Sequence, residues 1–491
     1  MICFTAITLM FLDFTGTLRL WFGWLAKIQF LPAVLAANFI VIAALLVLTI
    51  LFGRVYCSVI CPLGVFQDGI FILSMKKKGK KQTYSKEKKW LRYGVLALFI
   101  AALIAGLGSL VAILAPYSAW GRICQSIFAP AVQWVNNLLA DAAVRKGGYG
   151  FVTKEIWLKS LPALVVAAAT LIAVIVLAWR NGRTWCNTIC PVGTTLSFLA
   201  RFSMFRPLID TEKCVGCHSC ERKCKASCID SDNRKIDYSR CVGCFDCIDN
   251  CKVGALKYRF AWGGKSSGNQ PSKAVEATDK GRRAFLAGSV VALTGTALHA
   301  QTDDKKRDGG FAEVLPKISP DRSVPLTPFG SEGVKQFYSR CTACQLCVSV
   351  CPNDVLRPSG DLKRLMQVEM SYDKGYCRPE CTKCSEVCPS GAIVRITPEQ
   401  KTTWKIGTAS VNLDTCLASV GTASCGSCSR HCPVGAITMV RKDPSNESSP
   451  MIPSVIEEKC IGCGACENLC PVRPVSAITV NGCIVHHNEN N

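Results

Sequence analysis

Histidine is scarce in this sequence, since the 491 residues include 5 histidines and none precedes His218. This absence excludes a haem with two axial histidine ligands from the part of the chain before His218. Acidic residues are also few, because 35 Asp and Glu face 57 Lys and Arg, for a formal net charge of +22. Such an excess would ordinarily indicate a nucleic acid or an anionic membrane as partner. No nucleic-acid-binding motif accompanies it, and we expect no nucleic acid to bind.

Cysteine, by contrast, is abundant, with 32 residues. In a small secreted protein this number would indicate a disulfide framework. Here the chain is large, and most cysteines fall into sets of four that end in Cys or Cys-Pro. The cysteine pattern therefore favours thiolate ligands of a metal cofactor over disulfide bonds.

Four apolar runs are candidate membrane spans, which need about 20 residues each. They are residues 1–18, 31–52, 94–115 and 160–179. The sequence therefore predicts a membrane α-helical fold, with four transmembrane helices in a domain of residues 1–206. The first run starts abruptly, so we expect the natural start of the chain to lie upstream. This run also holds Asp13, and a carboxylate in a membrane span is a candidate catalytic residue by default.

Two cysteine-rich segments follow, for which the spacing predicts α+β domains like those of bacterial ferredoxins. The first, residues 207–262, is expected in the cytoplasm, because the lysine-rich loop after the second apolar run indicates the cytoplasmic side. A linker at 263–281 precedes residues 282–301, where paired arginines before a weakly apolar run resemble a twin-arginine export signal. We expect an uncleaved fifth anchor helix there and a periplasmic domain at 302–491. The alternative is an ordinary fifth anchor without export.

Regular cysteine quartets in the first segment match the C-x2-C-x2-C-x3-C run of two-cluster ferredoxins, in which the fourth cysteine binds the neighbouring [4Fe–4S] cluster. The two quartets are Cys214, Cys217, Cys220, Cys224 and Cys241, Cys244, Cys247, Cys251. Crossed fourth ligands would place Cys251 in the first cluster and Cys224 in the second. Zinc is the competing cofactor, but its sites use paired Cys-x2-Cys knuckles rather than triplets. Cys228 is a spare thiol that could substitute as a ligand.

Four further quartets occur in the second segment. They are Cys341, Cys344, Cys347, Cys351; Cys377, Cys381, Cys384, Cys388; Cys416, Cys425, Cys428, Cys432; and Cys460, Cys463, Cys466, Cys470. The outer two runs are regular and the inner two irregular. This symmetry predicts that the two outer runs share ligands with each other and that the two inner runs do the same. Cys470 would then complete the cluster of the first run. Pairing of neighbouring runs is the alternative. In total we expect six [4Fe–4S] clusters.

A two-cysteine phrase is repeated in the apolar part, as GRVYCSVICPLG from Gly53 and GRTWCNTICPVG from Gly182. An internal pseudo-two-fold axis would bring its cysteines together, and the four thiols could bind a seventh metal centre or form a redox-active site. These cysteines are Cys57, Cys61, Cys186 and Cys190. Arg54 and Arg183, one in each copy, could hold a quinone carbonyl or simply mark the membrane interface. The remaining alternative is a structural turn in which Cys-Pro ends each helix.

With these motifs in place, the chain resembles two known proteins joined end to end. Residues 1 to about 262 resemble NapH, the four-span ferredoxin-type membrane subunit of periplasmic nitrate reductase systems, including its two C-x3-C-P motifs. Residues from about 280 resemble NapG, the exported four-cluster ferredoxin of the same systems. The resemblance implies that quinol is oxidised in the membrane and that electrons pass to a periplasmic acceptor. No catalytic reductase is included in this chain.

The sequence therefore predicts a quinol dehydrogenase and electron-transfer protein of the bacterial inner membrane. Its expected partners are the quinol pool, the lipid bilayer and a periplasmic reductase or cytochrome. A second hypothesis is a redox-sensing, regulatory or maturation protein, but six clusters favour conduction because a sensor needs one. A third hypothesis keeps the electron transfer and reverses its direction. Cys3, Cys124 and Cys483 are expected to be packing residues rather than ligands.

Overall fold

The computed structural model describes residues 2–13, 16–78, 82–148, 150–262 and 315–488. These residues form three parts, which are a helical part up to residue 200, a first ferredoxin part from 205 to 260 and a second ferredoxin part from 315 to 488. The predicted linker at 263–281 and the predicted signal and anchor helix at 282–301 lie outside the described residues.

The helical part consists of short and medium helices. Their bounds are Ile2–Leu12, Thr17–Phe22, Trp24–Lys27, Phe30–Leu35, Phe39–Phe52, Tyr56–Ile60, Pro62–Lys78, Lys89–Ile104, Gly108–Leu114, Pro116–Ile123, Cys124–Phe128, Ala129–Arg145, Leu161–Asn181, Thr184–Thr188 and Pro191–Ala200. Two of these, Tyr56–Ile60 and Cys124–Phe128, are π-helical turns. Such turns often occur at functional sites.

The predicted membrane α-helical fold with four transmembrane helices is wrong. Among the described residues, one helix is long and apolar enough to cross a membrane, judged by length and composition alone. It is Leu161–Asn181, with a mean hydropathy of 2.8 and about a fifth of that stretch (22%) buried. The other three apolar runs are divided into shorter helices.

Local backbone features explain those three interruptions. The first run stops at Asp13, whose carboxylate accepts hydrogen bonds from the backbone N–H groups of Gly16 and Leu18 at 2.9 and 3.0 Å. The second is broken where Ala37 adopts a φ of 51°. The third is broken at Gly106, with a φ of 70°. A left-handed residue cannot continue a right-handed helix, and average hydropathy does not register one such position.

The first ferredoxin part is α+β, as its cysteine spacing predicts. Its elements are the strands Phe205–Ile209, Ile229–Asp230, Lys235–Ile236 and Leu256–Phe260 and the helices Ser219–Arg222 and Asp246–Asp249. The first strand pairs antiparallel with the last, from Phe205 opposite Phe260 to Ile209 opposite Leu256, and the inner two strands pair with each other. This pairing brings the loops of the two cysteine quartets together.

The second ferredoxin part contains three two-stranded antiparallel sheets. They pair Leu356–Pro358 with Val368–Met370, Trp404–Val411 with Ile478–Asn488, and Ile437–Arg441 with Met451–Val455. The helices are Val334–Arg340, Leu346–Val350, Leu362–Arg364, Lys383–Val387, Pro398–Thr402, Leu417–Val420, Ser427–Arg430, Glu457–Lys459 and Ala465–Leu469. Cysteines are part of its core, because Cys460 and Cys463 are only 7% and 8% exposed.

Both ferredoxin parts contact the helical part, through different residues. The first contacts it at Arg183, whose backbone N–H donates to the Lys225 carbonyl at 2.9 Å. The second contributes Cys344 and Leu346 to the apolar core of the helical part. The helical part is therefore in physical contact with cysteine-rich loops of both.

Candidate iron–sulfur sites and the buried cysteine cluster

The four regular cysteine runs share one loop conformation. In each, the residues two and four positions after the first cysteine have positive φ. The pairs are Gly216 and His218 (68° and 56°), Gly243 and Phe245 (64° and 62°), Ala343 and Gln345 (52° and 61°), and Gly462 and Gly464 (81° and 78°). These left-handed residues curl the backbone, so that three closely spaced thiols can face one cofactor. His218 belongs to this loop, and its Nδ1 lies 3.2 Å from Glu221 Oε2.

The first ferredoxin part contains two small apolar cavities, each lined by a close triplet of cysteines and one remote cysteine. One is lined by Cys214, Cys217, Cys220 and Cys251, and the other by Cys241, Cys244, Cys247 and Cys224. This is the arrangement expected from crossed fourth ligands. Cys228 also lines the second cavity, and its sulfur is 3.6 Å from that of Cys224. The donor set and the shape fit a [4Fe–4S] cluster in each cavity.

In the second ferredoxin part, cysteine runs that are neighbours in the sequence share their ligands. The predicted sharing between the two outer runs and between the two inner runs is therefore wrong. One cavity is lined by Cys351, Cys377, Cys381 and Cys384, and another by Cys416, Cys425, Cys428 and Cys470. Cys388 lies close enough to interact electrostatically with the first run, at Cys341, Cys344 and Cys347. Cys432 interacts in the same way with Cys460 and Cys463 of the fourth run. Regularity of spacing does not determine which runs are neighbours in space.

Iron counting on a double variant tests this pairing. Replacing Cys416 and Cys470 together by Ala removes two ligands from one cage, so we expect a loss of about four iron atoms per chain. Outer-with-outer pairing would put the two residues in different clusters and predicts a loss of about eight. Cys483→Ala, outside every cage, is the matched control and should leave the iron content unchanged.

Polar groups near the sulfurs favour the thiolate form that a cluster requires. Burial raises the pKa of Cys377 to about 11, while the Lys401 ammonium, 3.2 Å from this sulfur, opposes the rise. The backbone N–H groups of Ala436 and Ala409 donate to the sulfurs of Cys432 and Cys460 at 3.2 and 3.4 Å. Hydrogen bonds to cluster sulfurs tune reduction potentials. The buried thiols must release protons when a cluster assembles.

Cys57, Cys61, Cys186 and Cys190 come together in the helical part, and we call them the four-cysteine centre. Each is buried, with 4–5% of its surface exposed. The four sulfurs are close enough together that a charge on any one of them would act on the other three. Cys61 and Cys190 stand directly before the prolines that begin Pro62–Lys78 and Pro191–Ala200, and the Gly193 backbone N–H donates to the Cys190 sulfur at 3.3 Å.

The two arginines of the repeat cross-link its copies. Arg54 Nη2 donates to the Cys186 carbonyl at 3.1 Å, and Arg183 Nη1 donates to the Cys57 carbonyl at 2.7 Å. Each arginine thus binds the first cysteine of the other copy, as a pseudo-two-fold axis requires. Both side chains are fully buried. This position gives them a structural role, and a contact with quinone stays a prediction.

Further groups around the centre carry no sequence motif. Gln67 Nε2 lies 3.2 Å from the Cys186 sulfur. Asp68 accepts two hydrogen bonds of 2.6 Å from Arg183.

Asp13, the predicted catalytic acid, is buried and accepts backbone hydrogen bonds at the start of Thr17–Phe22, including one from Arg19 at 3.4 Å. Its catalytic role stays a prediction.

A single metal ion does not fit the cysteine clusters. Across the described ranges, no three His, Cys, Asp or Glu side chains are close enough together to hold one ion. A [4Fe–4S] core spreads its four thiolates around a larger group of atoms. The four cysteines that line each cage fit a cluster of this kind.

Comparisons with known proteins agree with this chemistry. Residues 34–81 and 163–209 match a family model described as a 4Fe-4S binding domain, and these segments contain the two copies of the repeat. Residues 340–392 and 423–473 match a 4Fe-4S dicluster domain, which groups the same neighbouring runs.

Three curated proteins are similar over part of the chain. They are an uncharacterized protein of Methanocaldococcus jannaschii (27% identical over 36% of this chain and 54% of that protein), the methylamine utilization ferredoxin-type protein MauN of Methylobacillus flagellatus (25%, 43% and 57%), and YccM of Escherichia coli, an electron transport protein by name (24%, 40% and 47%). The chain spans about half the length of these relatives. The likeness to NapH and NapG stays a prediction. Taken with the cysteine cages, the matches show that the chain contains ferredoxin-type 4Fe-4S domains.

Proposed function

We propose that this protein oxidises a quinol at a membrane and passes the electrons through its [4Fe–4S] clusters to a reductase or cytochrome on the periplasmic side, as the resemblance to NapH and NapG implies. The observation that carries the proposal is the continuity of the cysteine cages with the apolar helical part. A chain of cages suits conduction rather than sensing, because a sensor needs one cluster.

Exposed apolar side chains support contact with lipid. Trp90, Leu20, Ile40, Phe39 and Trp21 are between 77% and 89% exposed in the helical part. Two of them are tryptophans, and tryptophan is enriched at membrane interfaces. The helix Leu161–Asn181 adds a segment of membrane-spanning length.

A cleft between the helical part and the second ferredoxin part is suited to the quinol head group. Met10, Trp24 and Trp157 give it apolar surface beside charged residues such as Lys27 and Lys383. Arg19 Nη2 donates to the Ser349 carbonyl across it at 3.3 Å. Cys351, which also lines the cage of Cys377, Cys381 and Cys384, lies in its wall. A head group in this cleft would therefore sit beside a cluster ligand. A cluster held by these cysteines would supply a one-electron acceptor, so a quinol would give up its two electrons in succession and release its two protons to solvent.

Reconstitution into lipid vesicles tests the proposal. We expect a short-chain quinol to bleach the visible absorption of the oxidised clusters and a soluble electron acceptor to restore it. Trp24→Ala, in the cleft wall, should slow the bleaching by quinol but not that by dithionite. Trp134→Ala, which removes a ring of similar exposure (60%, against 57% for Trp24) that does not line the cleft, is the matched control. Clusters that dithionite reduces and quinol does not would overturn the proposal and favour a sensing role.

A further inference from the structure

The four-cysteine centre lies between the two ferredoxin parts, and we propose that it holds an iron–sulfur cluster that carries electrons from one part to the other. On the side of the second ferredoxin part, Tyr56 and Tyr117 belong to the same apolar core as Cys57 of this centre and Cys344 of the next cage. The proposal does not depend on quinol as the donor.

The surroundings of the centre contain groups that can stabilise thiolate ligands of a cluster. Four buried thiolates would be costly without compensation, and the groups that face them are cationic or donate hydrogen bonds. Arg54 Nη2 lies 3.9 Å from the Cys57 sulfur, and Gln67 approaches Cys186. The segments that supply the four thiols are those matched by the 4Fe-4S binding domain model.

The first ferredoxin part touches this centre directly. Arg54 Nη1 donates to the Ser239 carbonyl at 3.2 Å, and Ser239 lies two residues before Cys241. Gly182 allows the Lys225 carbonyl, next to Cys224, to approach its Cα closely, since a Cβ there would clash with that oxygen. The residues flanking two ligands of one cage thus contact the two arginines of the repeat or their neighbours.

The second ferredoxin part connects to the centre through aromatic packing. Tyr56 precedes Cys57, and its hydroxyl donates to Gln29 Oε1 at 2.9 Å. Tyr117 is within electrostatic range of Tyr56 and also of Cys344 and Cys388. Cys57, Tyr56, Tyr117 and Cys344 belong to one continuous apolar core. Gly121, in the same helix as Tyr117, lies against the Cys344 carbonyl, where a Cβ would clash.

The route continues beyond this contact. The Cys377 backbone N–H donates to the Cys463 carbonyl at 3.0 Å, so the two pairs of cages in the second ferredoxin part also touch. With clusters bound at these cysteines, each step would transfer one electron, so that the donor cluster is oxidised, the acceptor cluster is reduced and no proton is transferred. The apolar core that holds Cys57, Cys61 and Cys190 also contains Cys344, so the centre would be the carrier between the two ferredoxin parts.

Iron content is the first test. Seven clusters correspond to about 28 iron atoms per chain, and the double variant Cys57→Ser with Cys186→Ser should retain about 24. Cys124→Ser is the matched control, since Cys124 is fully buried in the same apolar core and is not a member of the centre. A wild-type content of about 24 would overturn the proposal.

Directed photoreduction is the second test. A ruthenium photosensitiser on an introduced cysteine at the exposed Lys235, in a background lacking Cys3 and Cys483, injects electrons into the first ferredoxin part. Repeated flashes should reduce all clusters of the wild type. The reduced clusters are counted by EPR on freeze-quenched samples. In the double variant the spin count should stop at about two per chain, the clusters of one two-cluster ferredoxin. Reduction that continues past this point at the wild-type rate would contradict the proposal.

The tyrosine route has its own pair of variants. The Tyr117 hydroxyl is buried and has no hydrogen-bond partner among the residues that the structure describes. Tyr117→Phe keeps the ring and should therefore leave the photoreduction of the second part unchanged. Tyr117→Leu removes the ring and should slow it without changing the iron content. Equal rates for the two variants would exclude the ring from the route.

Discussion

Gly64→Ala is expected to disrupt the four-cysteine centre and to lower the free energy of unfolding by about 3 kcal/mol or more. A Cβ at this position would lie closer than 3.0 Å to the Cys57 carbonyl oxygen. That oxygen accepts the 2.7 Å hydrogen bond from Arg183 that ties the two copies of the repeat together. The extra methyl must therefore displace the helix, the cysteine or the arginine. Thermal or chemical unfolding and iron content measure the effect.

Gly69→Ala is the matched control, because it lies in the same helix and a Cβ there meets no described atom within 4 Å. The control should be neutral or stabilise the helix by about 0.5–1 kcal/mol, since Ala has the higher helix propensity. Gly193, the counterpart of Gly64 in the second copy, faces the Cys186 carbonyl and Arg54 in the same way. Gly193→Ala should thus behave like Gly64→Ala. Equal stability of the Gly64 and Gly69 variants would contradict this packing.

Arg183→Met is expected to lower the free energy of unfolding by about 3–5 kcal/mol, because it leaves the Asp68 carboxylate buried without its main partner. Both oxygens of Asp68 accept hydrogen bonds of 2.6 Å from this guanidinium, whose side chain is 0% exposed. Lys225 Nζ, 3.6 Å from Asp68 in the first ferredoxin part, compensates only partly. Denaturant titration of the variant measures the loss.

A double-mutant cycle separates this pair from its surroundings. Arg183→Met combined with Asp68→Leu removes both charges and should recover much of the stability lost in the single variant. Arg201→Met is the control, because it removes an arginine whose side chain is 41% exposed. It should lower the free energy of unfolding by less than about 1 kcal/mol. A single Arg183 variant as stable as the Arg201 variant would show that the buried ion pair contributes little.

The sequence predicts the cluster chemistry well, because the ligand geometry of a ferredoxin cage is encoded in local spacing. The C-x2-C-x2-C triplets form loops with the same two left-handed positions, and glycine occupies the first of them after Cys214, Cys241 and Cys460. The repeated phrase also predicts an association of its two copies. The arginine at the same place in both copies, Arg54 and Arg183, makes the reciprocal contacts.

Long-range relations are less accessible to sequence reasoning. Which quartet completes which cage depends on strand pairing between distant segments, and regular spacing carries no information about it. Apolar runs predict spans only if the backbone stays helical, and Ala37 and Gly106 interrupt two of them. Tyr56 and Tyr117 are single aromatic residues, and their position between two cysteine clusters follows only from packing.

The pairing of neighbouring runs has a consequence for biogenesis. A chain is synthesised from its N-terminus, and early segments fold first. The cages of the first two quartets have all their ligands once Cys388 has left the ribosome, whereas pairing with the outermost run would have required Cys470. Cofactor loading can therefore proceed in order along the growing chain, so that fewer reactive thiols wait unprotected at any moment.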